Sequence, residues 1–123
     1  WNTEKGLKLM ENYLQMHSHI DAVWTGDDDV LLGALQAYKE SGRTDVKTML
    51  GGAGSKLIIK RIIDKDPLVT QTVTYPPKMV YHAAEEAIKL LEGAVPADKK
   101  LVIPAEVIDA SNAEANYYPE SAF

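Results

Sequence analysis

Apolar and polar positions alternate in blocks along the chain, with helical spacing in some segments and short β-rich runs between them. The first segment is predicted to be a helix that is capped by Asn2 and ends near His17. Its apolar positions recur at helical spacing on one face: Leu7, Met10, Tyr13 and Leu14. The next run, IDAVWT at 20–25, is short, apolar and rich in β-formers, which predicts a strand buried on both faces.

The same alternation continues through the middle of the chain. A second helix is predicted with Leu31, Leu35 and Tyr38 on one stripe and Gly42 at its end. DVKTML at 45–50 predicts another strand, and GGAG supplies the turn after it. Ser55 is placed to cap a third helix, whose inward positions are Ile58, Ile59, Ile62 and Ile63.

The last third of the chain adds a strand, a helix and a final strand. LVTQTVTY at 68–75 is strongly β-branched and is stopped by Pro76 and Pro77, the second of which suits the first turn of a helix. That helix is predicted to end at Gly93. Its apolar positions face one way: Val80, Ala84, Ala87, Ile88 and Leu91. KKLVIPAEVID at 99–109 predicts the final strand, and the tail after it is polar.

This order predicts an α/β fold, an open parallel sheet with helices on both faces. One feature departs from that class, because the chain begins with a helix where such domains begin with a strand. Only four strands are then left to cover four helices. We therefore expect the sheet to be incomplete in this chain.

Composition narrows the possible functions. The 123 residues are 46% hydrophobic and 25% charged, which is typical of one globular domain. The net charge is −5, from 13 basic and 18 acidic residues, so nucleic-acid binding is not expected. The sequence contains no cysteine, which removes disulfides, thiolate metal sites and cysteine nucleophiles together.

Consecutive aspartates at 27–29 stand where the first predicted strand turns into a helix. In an open parallel sheet, ligands bind beyond the carboxyl ends of the strands, so Asp27 is placed to face a ligand. The simpler interpretation is that Asp27 or Asp28 caps the helix and the others favour its dipole. A Mg²⁺ or Ca²⁺ site is a weaker alternative, because the ligand spacing of a calcium loop is absent.

No residue pattern in the chain predicts catalysis. GGAGSK at 51–56 fails the Walker pattern because Ser55 stands between Gly54 and Lys56, although backbone amides there could still meet a ligand oxygen. The histidines have no serine or carboxylate spaced to form a triad with them, which predicts surface positions for His17, His19 and His82. We therefore expect no enzyme activity, no metal site and no cofactor.

Three segments together carry a resemblance to a known family. They are WNTEKGLKLMENYL at 1–14, IDAVWTGDDDVLLGALQAYKESGRTDVK at 20–47 and LVTQTVTYPPKMVYHAAEEAIKLLEG at 68–93. The chain resembles the C-terminal part of periplasmic sugar-binding proteins of the ribose-binding type, the substrate receptors of ABC transporters. The most specific piece is AVWTGDDDVLLGALQA, which is similar to the family's apolar strand, Asn/Asp-Asp pair and LGAL helix.

The resemblance implies a two-lobe protein of the type 1 periplasmic binding fold that closes on a sugar or polyol. Residues 1–75 would form most of the C-terminal lobe, 76–93 a helix of the N-terminal lobe, and 94–123 the last hinge strand and tail. The N-terminal remainder would lie upstream or in a separate chain. The protein would be periplasmic, or lipid-anchored outside a Gram-positive cell, and would deliver its ligand to a membrane permease.

The resemblance also implies four ligand-binding positions. Trp1 falls where the family stacks an aromatic ring on the sugar, and Asp27 where an Asn or Asp binds sugar hydroxyls. Gly52 falls where the family frequently has an aspartate, and Thr74 where it often has a longer polar side chain, with Tyr75 an adjacent possibility. These two departures leave the ligand open to a bulkier sugar, a polyol or another solute.

Two other functions remain open at this point. The effector domain of a LacI-type transcription regulator shares the lobe architecture, but a DNA-binding segment would have to lie upstream. A flavodoxin-like enzyme fragment would need a catalytic side chain at a strand end besides Asp27, and the sequence offers none.

Overall fold

The computed structural model describes residues 2–75, 78–95 and 102–121, which form an α/β arrangement. The elements run in the order α1 Thr3–Met16, β1 Ala22–Trp24, α2 Asp28–Ser41, β2 Thr48–Leu50, α3 Lys56–Ile63, β3 Gln71–Val73, α4 Lys78–Leu91 and β4 Val107–Asp109. This order confirms the predicted alternation of helices and strands. Within these described ranges, no helix has the length and apolar character needed to cross a membrane.

The described strands form two two-stranded sheets, one parallel and one antiparallel. β1 pairs in parallel with β2, with Val23 opposite Met49. Beyond β2 the next segment continues in parallel, through a bridge between Ala53 and Thr74. β4 instead runs antiparallel to β3, so the predicted parallel arrangement does not extend to the last strand. The antiparallel pairing places the returning chain beside the end of β3.

Two helices pack unusually closely at glycines. Asn2 caps α1 as predicted, since its side chain accepts a hydrogen bond of 2.8 Å from the Lys5 amide. A Cβ added to Gly33 of α2 would lie 2.0 Å from the Thr3 carbonyl oxygen of α1. A Cβ added to Gly6 would lie 2.4 Å from the Val30 carbonyl oxygen. The backbones of α1 and α2 are therefore in direct contact at both positions.

The core lies between the sheet and the helices α1, α2 and α3. The predicted α2 stripe is buried at Leu31, Leu35 and Tyr38, and Gly42 ends the helix in the left-handed conformation, with φ 68°. The predicted inward face of α3 is confirmed at Ile58, Ile59 and Ile62. Residues from the end of the chain complete this core: Ile108, Ala113 and Tyr117.

Two local expectations are wrong, and one predicted apolar position is only partly covered. Tyr13, on the predicted apolar face of α1, is 48% exposed, whereas Met10 on the same face is 2% exposed. Ser55 stands at the N-cap of α3, yet its side chain makes no capping hydrogen bond. β1 was expected to be buried on both faces, whereas Ala22 is exposed and Trp24 is 77% exposed. Among the described strands β1 pairs only with β2, so no described strand lies on its other side.

The predicted apolar face of α4 is not buried in this chain. The helix forms as expected over Lys78–Leu91, but Val80 is 75% exposed, Ile88 56% and Leu91 88%. The described elements therefore leave this face of α4 uncovered. Pro76 and Pro77, expected to stop β3 and open α4, lie outside the described residues.

Candidate functional site

The carboxyl ends of three chain segments meet at one edge of the sheet. The amide of Asp28, after β1, donates a 2.8 Å hydrogen bond to the carbonyl of Gly52, after β2. The amide of Ala53 donates a 2.7 Å bond to the carbonyl of Val73 in β3. The structure thus brings the predicted positions Asp27, Gly52 and Thr74 to the same edge.

Asp27 is both the helix cap and a polar group at this edge. One carboxylate oxygen, Oδ1, accepts a 2.8 Å hydrogen bond from the Asp29 amide, which satisfies an otherwise free donor at the start of α2. The other oxygen, Oδ2, accepts a 2.5 Å bond from the Tyr75 hydroxyl. Asp27 remains partly exposed, so its unused lone pairs can accept hydrogen bonds from a ligand.

Asp28 has a role that the sequence interpretation missed. The residue is only 1% exposed, although it follows the cap directly. Its Oδ2 accepts a 2.7 Å bond from the Ser55 amide, and its Oδ1 accepts a 2.9 Å bond from the Thr72 hydroxyl. Burial raises the pKa of the Asp28 carboxyl, while these hydrogen bonds oppose that rise. Asp28 therefore links the start of α2 to the start of α3 and to β3, and is not merely a charge near the helix dipole.

The sequence carried little signal for this link. Thr72 is fully buried in β3 and lies 44 residues from Asp28, so no local pattern connects them. The only hint was a polar residue within a strand whose neighbours along the chain are mostly β-branched. Long-range pairs of this kind are fixed by tertiary packing and become visible only in the folded chain.

Gly51 and Gly52 differ in how much room surrounds them. A Cβ on Gly51 would lie 2.0 Å from Oδ1 of Asp28, so no side chain fits there. A Cβ on Gly52 would meet nothing nearer than the Gly26 carbonyl oxygen at 3.6 Å, an ordinary contact distance. The bare backbone at Gly52 is thus not required by packing, and it leaves open space at the edge.

The loop after Gly52 has a constrained backbone. Ala53 has φ 141° and Gly54 has φ 76°, a region that residues other than glycine seldom adopt. Ala53 is nevertheless bridged to Thr74 and buried, so the surrounding contacts hold it in place. This loop therefore presents its backbone to the edge in one conformation.

Thr74 and Tyr75 complete the edge from the β3 side. The Thr74 hydroxyl oxygen accepts a 3.0 Å hydrogen bond from the Glu106 amide, and the Thr74 amide donates a 2.8 Å bond to the Glu106 carbonyl. These bonds tie the end of β3 to the segment that returns before β4. The hydrogen bond to Asp27 is the main reason that the pKa of Tyr75 rises to about 12. Tyr75 is neutral at physiological pH with or without this rise and serves as the donor in the bond to Asp27.

Some expectations concern groups beyond this edge. Trp1, the predicted stacking ring, lies outside the described residues. Across 2–75, 78–95 and 102–121, no three acidic or histidine side chains come together in a way that could hold a metal ion. His17, His19 and His82 are exposed, as predicted.

Comparisons with known proteins indicate the same family by a family model and by individual relatives. A family model described as a periplasmic binding protein domain matches residues 1–94. The chain is 39% identical over 83 residues to a ribose import binding protein of Bacillus subtilis. That match covers 68% of this chain and 26% of the relative.

Solved structures show the same fold. One is the periplasmic binding protein component of the arabinose ABC transporter from Shewanella sp. ANA-3, bound to alpha and beta-L-arabinofuranose. It has a TM-score of 0.78 and 27% identity, over 94% of this chain and 39% of that one. Another is an ABC transporter solute binding protein from Bacillus halodurans with bound myo-inositol. It has a TM-score of 0.76 and 26% identity, and the match covers 94% of this chain and 40% of that one. The chain spans 26% to 40% of these relatives' lengths.

Proposed function

This chain belongs to the periplasmic binding protein family, and we propose that it is part of the solute-binding component of an ABC transporter. The complete component captures a sugar or a sugar-like small molecule between two lobes for uptake. The names of the relatives, which are import and solute binding proteins, favour this function over a LacI-type regulator. They are binding proteins rather than enzymes, so we also propose that the chain has no catalytic activity.

The observation that carries this proposal is the partly exposed Asp27 carboxylate at the carboxyl edge of the sheet. A carboxylate can accept hydrogen bonds from two adjacent hydroxyls of a sugar, and such charge-assisted bonds are about twice as strong as neutral ones. The Tyr75 hydroxyl holds this carboxylate from one side, at 2.5 Å. Gly52 leaves space at the same edge, so the site suits a ligand that is rich in hydroxyls.

Four residues form the ligand site in this proposal: Trp1, Asp27, Gly52 and Thr74. Asp27 accepts from ligand hydroxyls, while the backbone at Gly52 and the Thr74 hydroxyl meet the ligand beside it. Asp27, Gly52 and Thr74 are supported by their shared position at the carboxyl ends of the strands. The hydrogen bonds from Asp28 to Gly52 and from Ala53 to Val73 hold these ends together. Trp1 is assigned by resemblance alone, as a ring stacked on the apolar face of the sugar.

The division into lobes is also a proposal. Residues 1–75 form most of the C-terminal lobe, 76–93 add a helix to the N-terminal lobe, and 94–123 contain the last hinge strand and tail. The exposed apolar side chains of α4 support this division, since Leu91 is 88% exposed and Val80 75%. A helix with such a face normally buries it against another element.

A second uncovered surface supports the presence of an N-terminal remainder. Trp24 of β1 is 77% exposed, and a groove of about 250 Å³ runs between β1 and α1. Its lining is largely apolar and comprises Met10, Tyr13, His17, Ile20, Ala22, Val23 and Trp24. We propose that an upstream strand of the same protein pairs with β1 and fills this groove. On this basis the 123 residues alone should associate in light scattering, whereas the protein expressed from its complete gene should be monomeric.

The proposed mechanism is closure of the two lobes on the ligand. The segments that follow Thr74 and precede Glu106 connect the lobes, and the bonds between these two residues hold the connections side by side. A ligand that contacts both lobes favours the closed population by its differential affinity. The closed form is then presented to a membrane permease. The protein acts in the periplasm, or on a lipid anchor outside a Gram-positive cell.

The test is a calorimetric titration of the protein expressed from its complete gene. D-ribose, L-arabinose and myo-inositol are titrated into the parent protein and the variants Asp27→Ser and Asp29→Ser. Serine also caps helices, so Asp27→Ser removes the carboxylate with little loss of stability. We expect Asp27→Ser to weaken binding by about 10- to 100-fold, from hydrogen bonds to a charged group worth about 1.5–3 kcal/mol each.

The matched control is the neighbouring exposed aspartate, since Asp29→Ser also removes one charge from the start of α2. It should leave the affinity within about twofold, because surface substitutions typically change free energies by about 0.5 kcal/mol or less. Absence of binding by the parent protein to all three compounds would refute the proposed ligand class. Equal losses in both variants would refute the role of Asp27.

A further inference from the structure

Asp28 is a carboxylate buried where three chain segments meet. It is 1% exposed, whereas Asp27 is partly buried and Asp29 is exposed. A buried carboxylate is rare in proteins unless it is paired or hydrogen-bonded, because its hydration is lost. The bonds from Ser55 and Thr72 offset that loss.

We infer that Asp28 is a positioning residue, which holds the strand ends of the ligand site at fixed spacing without contacting the ligand. This inference rests on the proposed function. Each proposed ligand-binding residue at this edge is adjacent to Asp28, bonded to it, or near a residue that is bonded to it. Asp27 precedes it, Gly52 accepts its amide hydrogen at 2.8 Å, and Thr74 follows the bonded Thr72 by two residues.

The carboxylate joins segments that no local interaction could join. Ser55 lies 27 residues away at the start of α3, and Thr72 lies 44 residues away in β3. One side chain thus fixes the start of α2 against the start of α3 and against the middle of β3. The Ser55 amide donates to Oδ2, and the Thr72 hydroxyl lies within hydrogen-bond distance of both oxygens, at 2.9 Å from Oδ1 and 3.2 Å from Oδ2. Movement of either segment therefore breaks a hydrogen bond inside the protein, where it is costly.

Steric contact adds to these bonds. The position of a Cβ on Gly51 would lie only 2.0 Å from Asp28 Oδ1 and 3.0 Å from a methyl of Leu31. The carboxylate therefore fills the space beside the Gly51 backbone, and the chain that enters Gly52 is packed directly against it. The position of Gly52 consequently depends on Asp28 through a hydrogen bond and through contact.

Burial separates the role of Asp28 from that of Asp27. With 1% exposure, Asp28 offers no surface to a ligand, so a loss of affinity on weakening its bonds would come from displaced neighbours. A purely structural residue would lower stability but leave the folded fraction with unchanged affinity. These two roles can be distinguished by experiment.

The experiment uses the protein expressed from its complete gene and substitutes the partner of Asp28. Asp28→Ala removes the link but endangers folding, so Thr72→Val is the principal variant. It removes the hydroxyl donor and keeps the side-chain size, while Thr72→Ser retains the donor. Asp29→Asn, beside Asp28, is the charge control. The ligand probe is whichever of D-ribose, L-arabinose and myo-inositol the parent protein binds most tightly.

Two quantities are measured at a temperature where every variant is fully folded. Thr72→Val should weaken binding about tenfold, the effect of losing one hydrogen bond to a charged group. It should also speed hydrogen exchange of the Ser55 amide, which donates to Asp28, while exchange at Met10 in α1 stays unchanged. Thr72→Ser and Asp29→Asn should keep both quantities within about twofold of the parent values.

The possible outcomes distinguish a failure of this inference from a failure of the proposed function. Unchanged exchange at Ser55 in Thr72→Val would overturn the link itself, whatever the ligand. Faster exchange with unchanged affinity would show a structural role only and would overturn the positioning role. Failure of the parent protein to bind any of the three probes would instead refute the proposed function.

Discussion

The glycine contact between α1 and α2 makes Gly33→Ala a sharp test of the packing described above. In an exposed helix, replacing glycine by alanine stabilises a protein by about 1 kcal/mol, because alanine loses less backbone entropy. Here the added Cβ would lie 2.0 Å from the Thr3 carbonyl oxygen, where ordinary contact begins at 3.4 Å. The helices would have to separate by about 1.4 Å.

The obstructing atom belongs to backbone, so it cannot turn away as a flexible side chain would. Overpacking a core by one methyl group costs about 1–3 kcal/mol, and a contact this short belongs at the upper end. After the gain in helix propensity is subtracted, we expect a net destabilisation of about 2 kcal/mol. The midpoint of urea unfolding should then fall by about 1 M.

Urea titration of the protein expressed from its complete gene, followed by circular dichroism, measures this shift. Gly52→Ala is the matched control, because the nearest atom to its Cβ would be 3.6 Å away and its φ is not positive. It should shift the free energy of unfolding by about 0.5 kcal/mol or less. If Gly33→Ala were as stable as the parent protein, or more stable, the close approach of α1 and α2 would be refuted.

Two further predictions concern the ligand edge and pH. Gly52→Asp should fold normally, because a Cβ has room there, and should change the order of preference among D-ribose, L-arabinose and myo-inositol in calorimetry. Unchanged preference would contradict the placement of Gly52 in the site. Hydrogen bonding from Arg43 holds the pKa of Asp45 well below its ordinary 3.8, so the stability that Asp45 contributes is present above that value and is lost as the pH falls further. Acid unfolding curves of the parent protein and Asp45→Asn should therefore converge below pH 3.8, and parallel curves would contradict this linkage.

Periodicity and capping patterns were sufficient for elements whose determinants are local. Asn2 and Gly42 mark helix ends by their own backbone chemistry, and the α2 stripe repeats at helical spacing, so all were predicted correctly. The position of Asp27 at a strand end also followed from the strand-to-helix pattern, whereas Gly52 and Thr74 were assigned by resemblance.

What could not be predicted depends on distant partners. An apolar run such as IDAVWT indicates a buried strand, but whether Trp24 is covered depends on which strands lie beside β1. The same holds for α4, whose apolar face is well formed yet uncovered by the described elements. The Asp28–Thr72 bond spans 44 residues, and no local sequence pattern at either residue predicts it.

The exposed indole of Trp24 offers an optical signal for whether another segment of the protein lies on β1. Indole fluorescence moves to shorter wavelength when water is removed from the ring, and Trp24 is 77% exposed in this chain. In a Trp1→Phe background, Trp24 is the sole tryptophan of the 123 residues. Its emission maximum would then report directly whether another segment lies on β1, in dilute solution and without any ligand. A blue shift on adding an upstream fragment would give the affinity of that fragment, so the assembly of the lobe could be followed as an ordinary binding titration.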